Sequence, residues 1–318
     1  MKKASKDEKV IRDLAKQVAE IAQSPEMERS RRRWRDVNAL RRPDRAPVWC
    51  KPVGAWEELL PATSLRCADR RLRGIERAFR QVLIKRDIGD DSVMDPFFDV
   101  APVIQTDPPT IWGVEPRKHR PAEAGGAWQY DPPLKSPADL DRLRLPRLTL
   151  DHAATQRALD AANDLLGDIL PVRLSFSAEG HRALSATLGT AAADLRGLEP
   201  MMMDAASDPD FLHRLMAHLR DANLSVMRQV EELGLLTPET VRPMYCCDPI
   251  GPGAAKDGFA RHWCAANSQE FDQFSPPMWE EFCLAYQKPI FEKYGLVGYG
   301  CCENLTRKID GVLSIPNL

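Results

Sequence analysis

The sequence predicts an α/β fold with parallel strands, and three observations predict it. Apolar, strand-like runs alternate with helical periodicity along most of the chain. The helical stretches between them reach about ten residues or more, enough to return the chain for a parallel pairing. No Gly-x-Gly-x-x-Gly follows a strand, and no Gly-x-x-x-x-Gly-Lys-Ser/Thr occurs, so the two usual nucleotide-binding reasons for an open sheet are missing. The alternation by itself fits an open doubly wound sheet and a closed barrel equally.

The elements follow in order. Residues 7–22 carry Val10, Ile11, Leu14, Val18 and Ile21 at helical spacing with charges between them, which predicts an amphipathic helix. The basic run from Arg29 to Arg42 is interrupted by Trp34, Val37 and Leu40 and reads as a solvated helix face, not a nucleic-acid patch. Residues 1–44 thus form an N-terminal helical extension, and 45–318 the main domain. Residues 45–54 read as a first buried strand running into a glycine loop, 67–85 as a helix and 92–104 as extended chain. The segment 107–147, rich in Pro and Gly, reads as an excursion over one face, with Trp112, Trp128 and Tyr130 packing it down. Helices are expected over 151–166, from 181, over 208–233 and over 277–294, the last with Met278, Phe282, Ala285, Tyr286 and Ile290 on one face. Strands are expected at 169–176, 242–247 and 296–302, with a final helix at 305–313. His262-Trp263-Cys264 reads equally as a strand and as a loop entering a helix. Met201-Met202-Met203 is read as gap-filling core.

Composition bounds the function. The 318 residues carry a net charge of -2, which gives no reason to expect a nucleic acid or another polyanion. No apolar run approaches the roughly 20 residues that span a bilayer, and the polar start lacks a signal-peptide core, so a cytoplasmic protein without a membrane partner is expected. The eight cysteines include the adjacent pairs Cys246–Cys247 and Cys301–Cys302 and do not form a disulfide framework. Reduced thiols are expected, some of them metal-binding.

Two segments carry a resemblance. Pro47-Val48-Trp49 through Gly54 is similar to the first strand of uroporphyrinogen decarboxylases. Residues Ser275-Pro276-Pro277-Met278-Trp279-Glu280-Glu281-Phe282, leading to Gly298-Tyr299-Gly300-Cys301-Cys302-Glu303-Asn304, resemble a helix and strand of the decarboxylase-like members of the same superfamily. The superfamily is that of uroporphyrinogen decarboxylase and the corrinoid (cobalamin-dependent) methyltransferases, and the resemblance runs over roughly residues 29–318. It implies a TIM-type (β/α) barrel with its active site at the C-terminal strand ends. About six of the eight strands are recognisable, so the barrel is expected to be incomplete, shortened at its C-terminal side, with a homodimer as one way to seal the edge.

The resemblance also implies chemistry. The decarboxylases place arginines after the tryptophan to hold substrate carboxylates; here Trp49 is followed by Cys50-Lys51-Pro52, leaving Trp49 and Lys51 as substrate-binding residues without a guanidinium fork. The methyltransferase branch uses zinc on a His-x-Cys strand end. Cys302 occupies the place of that cysteine, but Gly300 stands where the histidine would be, so Cys301, Cys302 and Glu303 are the metal candidates. His262, Cys264, Cys246 and Cys247 are other donors. Adjacent cysteines on a strand point to opposite faces, so both reach one mouth only through a bulge.

The acid–base candidates are Asp95 and Asp99, where the family keeps a catalytic aspartate, then Glu179 and His181 after the strand at 169–176. Gln269 and Glu270 are substrate-binding candidates, and Tyr299 is a hydrogen-bond donor at the mouth. The leading expectation is a methyltransferase between a small substrate and a corrinoid on a partner protein, with zinc assistance. The alternatives are a decarboxylase of a tetrapyrrole or aromatic acid, a carboxy-lyase that needs no cofactor, and a non-catalytic truncated barrel or binding module.

Overall fold

This computed structural model describes residues 5–110, 112–119, 129–176, 184, 186–237 and 258–318, and among these residues four short two-stranded ladders and eleven α-helices make up a mixed α/β fold. The chain divides into two compact units. Unit 1 is Met1–Pro102, His152–Ser175 and Glu239–Pro249; unit 2 is Val103–Asp151, Phe176–Pro238 and Ile250–Leu318.

Unit 1 opens with α1 (Lys6–Ala22), started by a capping box in which Ser5 and Glu8 satisfy each other's backbone N–H groups. Its apolar face, including Ile11, Leu14 and Val18, is buried with Phe79, Leu165, Leu166 and Leu170. Then come α2 (Pro25–Asn38), α3 (Trp56–Leu59) and α4 (Arg70–Ile88). Helix α4 ends at Gly89, whose φ of 74° is the left-handed conformation that a glycine adopts without Cβ cost. Strand β1 (Phe98–Val100) pairs in parallel with β6 (Val172–Leu174), and α5 (His152–Leu166) precedes β6.

The stretch 45–54 is neither a strand nor buried. Val48 is 58% exposed, and the segment is held by acids of the next loop: Val48 N–H donates to Asp91 and Cys50 N–H to Asp90, at 2.8 and 2.7 Å. Pro47 and Pro52 withhold ladder donors, and side chains replace strand pairing.

Unit 2 begins with β2 (Ile104–Asp107) and contains the antiparallel ladder β3 (Arg117–His119) with β4 (Gln129–Asp131) and the antiparallel pairing of β2 with β5 (Arg147–Leu150). The Pro/Gly-rich segment is therefore more than a surface excursion: Trp112, Val114, Leu134, Leu140 and Leu143 belong to the buried core. Helices α6 (Leu188–Arg196), α7 (Leu198–Ser207) and α8 (Pro209–Glu232) follow, with Met201 buried but Met203 61% exposed. Phe176 bridges Leu236 in parallel. Strand β7 (Trp263–Ala266) pairs in parallel with β8 (Leu296–Tyr299) through α9 (Pro276–Trp279), a π-helical turn Glu280–Leu284 and α10 (Ala285–Phe291); α11 (Ile309–Leu313) follows β8. Among the described residues the strands do not close a ring. The expected strand at 242–247 lies outside them.

Candidate active site

Parallel pairing of β7 and β8 puts both C-terminal ends on one side, where catalytic side chains collect in α/β enzymes. The ladder's last link is Gly300 N–H to the Ala266 carbonyl at 2.9 Å. Gly300 then takes φ 127°, turning the chain out of the strand. Two short segments meet there: Asn267 to Glu270 after β7, and Cys301 to Asn304 after β8.

Glu303 clamps them. Its Oε1 accepts from Ser268 N–H at 2.8 Å and its Oε2 from Cys301 N–H at 3.1 Å, while Asn304 N–H donates to Asp272 Oδ1 at 2.8 Å. Behind the clamp, Lys308 is buried and donates to the carbonyls of Phe271 and Asp272; burial lowers its pKa. Lysine thus braces the loop from behind, with its ammonium donors committed to loop carbonyls.

A polar network lies beneath. Gln287, fully buried on α10, donates to the carbonyls of Ala186 and Asn267 at 2.8 and 2.9 Å and accepts from the Tyr299 hydroxyl at 2.9 Å and the Cys283 thiol at 3.5 Å. Desolvation, reinforced by Cys283, raises the Tyr299 pKa, so the phenol stays neutral. Burial likewise pushes the Cys283 thiol up.

Glu270 differs from every other carboxylate in the group. Its Oε1 accepts from Thr190 Oγ1 at 2.7 Å and Gln269 Nε2 at 3.2 Å, but its Oε2 is buried without a partner among the described residues. Gly189 makes this possible. A Cβ there would stand 2.8 Å from Oε2 and 3.2 Å from the Phe271 ring. A buried polar atom left unpaired costs about 1–3 kcal/mol and calls for an explanation such as a bound donor or a catalytic role.

The remaining sequence candidates fall elsewhere. In unit 1, Lys51 Nζ lies 5.5 Å from the Trp49 ring centroid, a cation–π pair. Asp95 precedes β1, and Asp99 lies within it, paired to Arg173 Nε at 2.6 Å; neither is at the C-terminal end of the strand. His262 precedes β7 and Cys264 is buried in it, so the ambiguous His-Trp-Cys run resolves as strand. Glu179, His181, Cys246 and Cys247 lie outside the described residues.

Cys301 and Cys302 correct one expectation. The strand ends at Tyr299, so both cysteines sit on the turn beyond it, both exposed, their sulfurs 3.6 Å apart. The alternation rule for strands does not apply to them. Zinc fits this set poorly, because Glu303 has both oxygens engaged by backbone N–H groups. No group of three His, Cys, Asp or Glu able to hold a metal exists among the described residues. Glu303, Cys301 and Cys302 therefore read as a loop clamp and a dithiol.

The sequence reading missed Gln287, Thr190, Gly189 and Asn267. Gln287 alone left a signal, a polar residue inside an apolar helical run. No helix among the described residues is long and apolar enough to cross a membrane. No protein-family model, curated protein or solved structure matches the chain.

Proposed function

We propose that this chain is an enzyme of the uroporphyrinogen decarboxylase and corrinoid methyltransferase type, moving a methyl group between a small substrate and a corrinoid carried by a separate protein. The observation that carries this reading is Glu270: one oxygen fixed, the other buried and unpartnered, beside two parallel strand ends. A TIM-type barrel is the architecture we propose for it. Three parallel pairings support that architecture: β1 with β6, Phe176 with Leu236, and β7 with β8, the last two joined by helical crossovers.

In the demethylating direction, the bond from the methyl carbon to the substrate heteroatom breaks with its electron pair left on the heteroatom. Glu270 delivers the proton that neutralises that leaving atom, general acid catalysis worth about 10²–10⁴-fold. A reduced corrinoid on the partner would supply the electron pair for the new bond to the methyl carbon. Thr190 and Gln269 hold Glu270 in place, Glu303 fixes the loops around it, and the neutral Tyr299–Gln287 pair keeps the floor rigid. No zinc step is included.

Methyl transfer is favoured over decarboxylation by charge. A polycarboxylate substrate calls for guanidinium or ammonium donors. Among the described residues no Arg or Lys hydrogen-bonds to Glu270, Glu303, Gln287 or Tyr299, and Lys308 is committed to loop carbonyls. The test is a panel of methylated thiols, amines and aryl ethers offered with free reduced cobalamin, followed by its absorption spectrum. Demethylation of at least one donor is expected. Carbon dioxide release from a tetrapyrrole or aromatic acid, with no donor demethylated, would overturn the reading.

A further inference from the structure

Cys301 and Cys302 are the accessible adjacent thiols among the described residues. Cys67, Cys264 and Cys283 are buried, with the Cys67 thiol pushed up to about 12 by burial and by Glu76, while exposed Cys50 stands apart in sequence. The pair sits on an anchored turn: Gly300 is tied to Ala266, Cys301 N–H to Glu303 and Asn304 N–H to Asp272. The two sulfurs are held 3.6 Å apart on the outside of that turn.

Three uses of such a pair can be weighed. A disulfide between neighbours is disfavoured, because α-carbons joined by a trans peptide are about 3.8 Å apart, below the roughly 4.4–6.8 Å that unstrained disulfides span. A zinc ion needs about four ligands, and the described residues offer no third His, Cys, Asp or Glu. A single soft atom that needs only two sulfurs from the protein meets neither obstacle. Sulfurs 3.6 Å apart can both reach an atom set between them at bond lengths of about 2.3 Å, the length of a zinc–thiolate bond.

We propose that Cys301 and Cys302 form a two-sulfur binding site for a monosubstituted trivalent arsenical. Binding is substitution without redox change. Two arsenic–oxygen bonds break and two arsenic–sulfur bonds form, each thiol proton leaves with a hydroxide as water, and arsenic stays trivalent with its organic substituent. The inference is independent of the methyl-transfer reading, since it concerns thiols that take no part in that step.

Phenylarsine oxide on the full chain, read by intact mass, is the test. One adduct per chain is expected, resistant to millimolar glutathione and removed by 2,3-dimercaptopropanol. C301S and C302S should each weaken binding at least tenfold with unchanged circular dichroism, while the C50S and C246S/C247S variants retain it. No adduct on the native chain, retention of the adduct in the C301S/C302S variant, or its loss in C246S/C247S would overturn the proposal.

Discussion

Asp91 and Glu76 in unit 1 and Glu270 in unit 2 fill their carboxylate oxygens differently. In unit 1, buried Asp91 accepts from Arg33 at 2.9 Å, from Arg45 at 2.6 and 2.9 Å, and from Val48 N–H at 2.8 Å. Buried Glu76 accepts from the Arg66 and Cys67 N–H groups and from Arg80. Burial alone would raise both pKa values, yet these donors outweigh it and hold both carboxyls below the usual range. In unit 2, Glu270 keeps one oxygen buried and unfilled. A fully satisfied acid stabilises its surroundings; one with an open valence is poised to handle something else.

The largest effect expected from breaking this contrast is on stability in unit 1. Asp91→Ala takes one partner from Arg33, which keeps Asp44, and one from half-exposed Arg45, and frees the Val48 N–H, so it should cost about 2–3 kcal/mol of unfolding free energy. Urea unfolding measures it, and a loss under about 1 kcal/mol would mean that Asp91 is not the keystone of residues 30–48. In unit 2, Tyr299→Phe removes one donor from buried Gln287 while Cys283 remains, so about 1–2 kcal/mol should be lost. An unchanged midpoint would remove the Gln287 network from the account.

The smallest effect is a pH dependence. Burial lowers the pKa of His218 and His262, both in unit 2, with Arg261 adding to the effect on His262. A depressed histidine means that the unfolded state binds more protons, so the stability is fully present above the ordinary value of about 6.5 and is lost as pH falls from there through the lower folded value. The depressed carboxyls of Asp91 and Glu76 in unit 1 are affected only below about pH 4. Hydrogen-exchange protection, taken relative to the intrinsic rate at each pH, should therefore fall in unit 2 first between pH 7 and 5, and His262→Gln should flatten the trend; an equal loss of protection in both units contradicts it.

Helices were legible in the sequence because their evidence is local. Ser5 to Glu8 caps α1, and the spacing of Val10, Leu14 and Val18 marks its buried face. Helix α10 was harder. Its π-helical start at Glu280–Leu284 takes in an extra residue, which turns the faces so that Ala285 is exposed and Gln287 is buried. The stretch 45–54 was misread because its partners, Asp90 and Asp91, lie some 40 residues away and act through side chains. At the candidate site, Glu270 reads in the sequence as a substrate-binding residue, Tyr299 as a hydrogen-bond donor at the mouth and Glu303 as a metal candidate beside the cysteines. The open oxygen of Glu270 was not legible, since it depends on the missing Cβ of Gly189, 81 residues earlier in the chain.

The most direct test is a paired measurement on Glu270→Gln: turnover of whichever methylated donor the native protein accepts, together with the melting temperature. Because Oε2 has no partner to lose, the melting temperature should hold within about 2 °C while turnover falls about 100-fold. Native turnover in the variant would contradict the assignment of Glu270 as the proton donor. A collapse in stability like that expected for Asp91→Ala would make Glu270 a structural acid like those of unit 1.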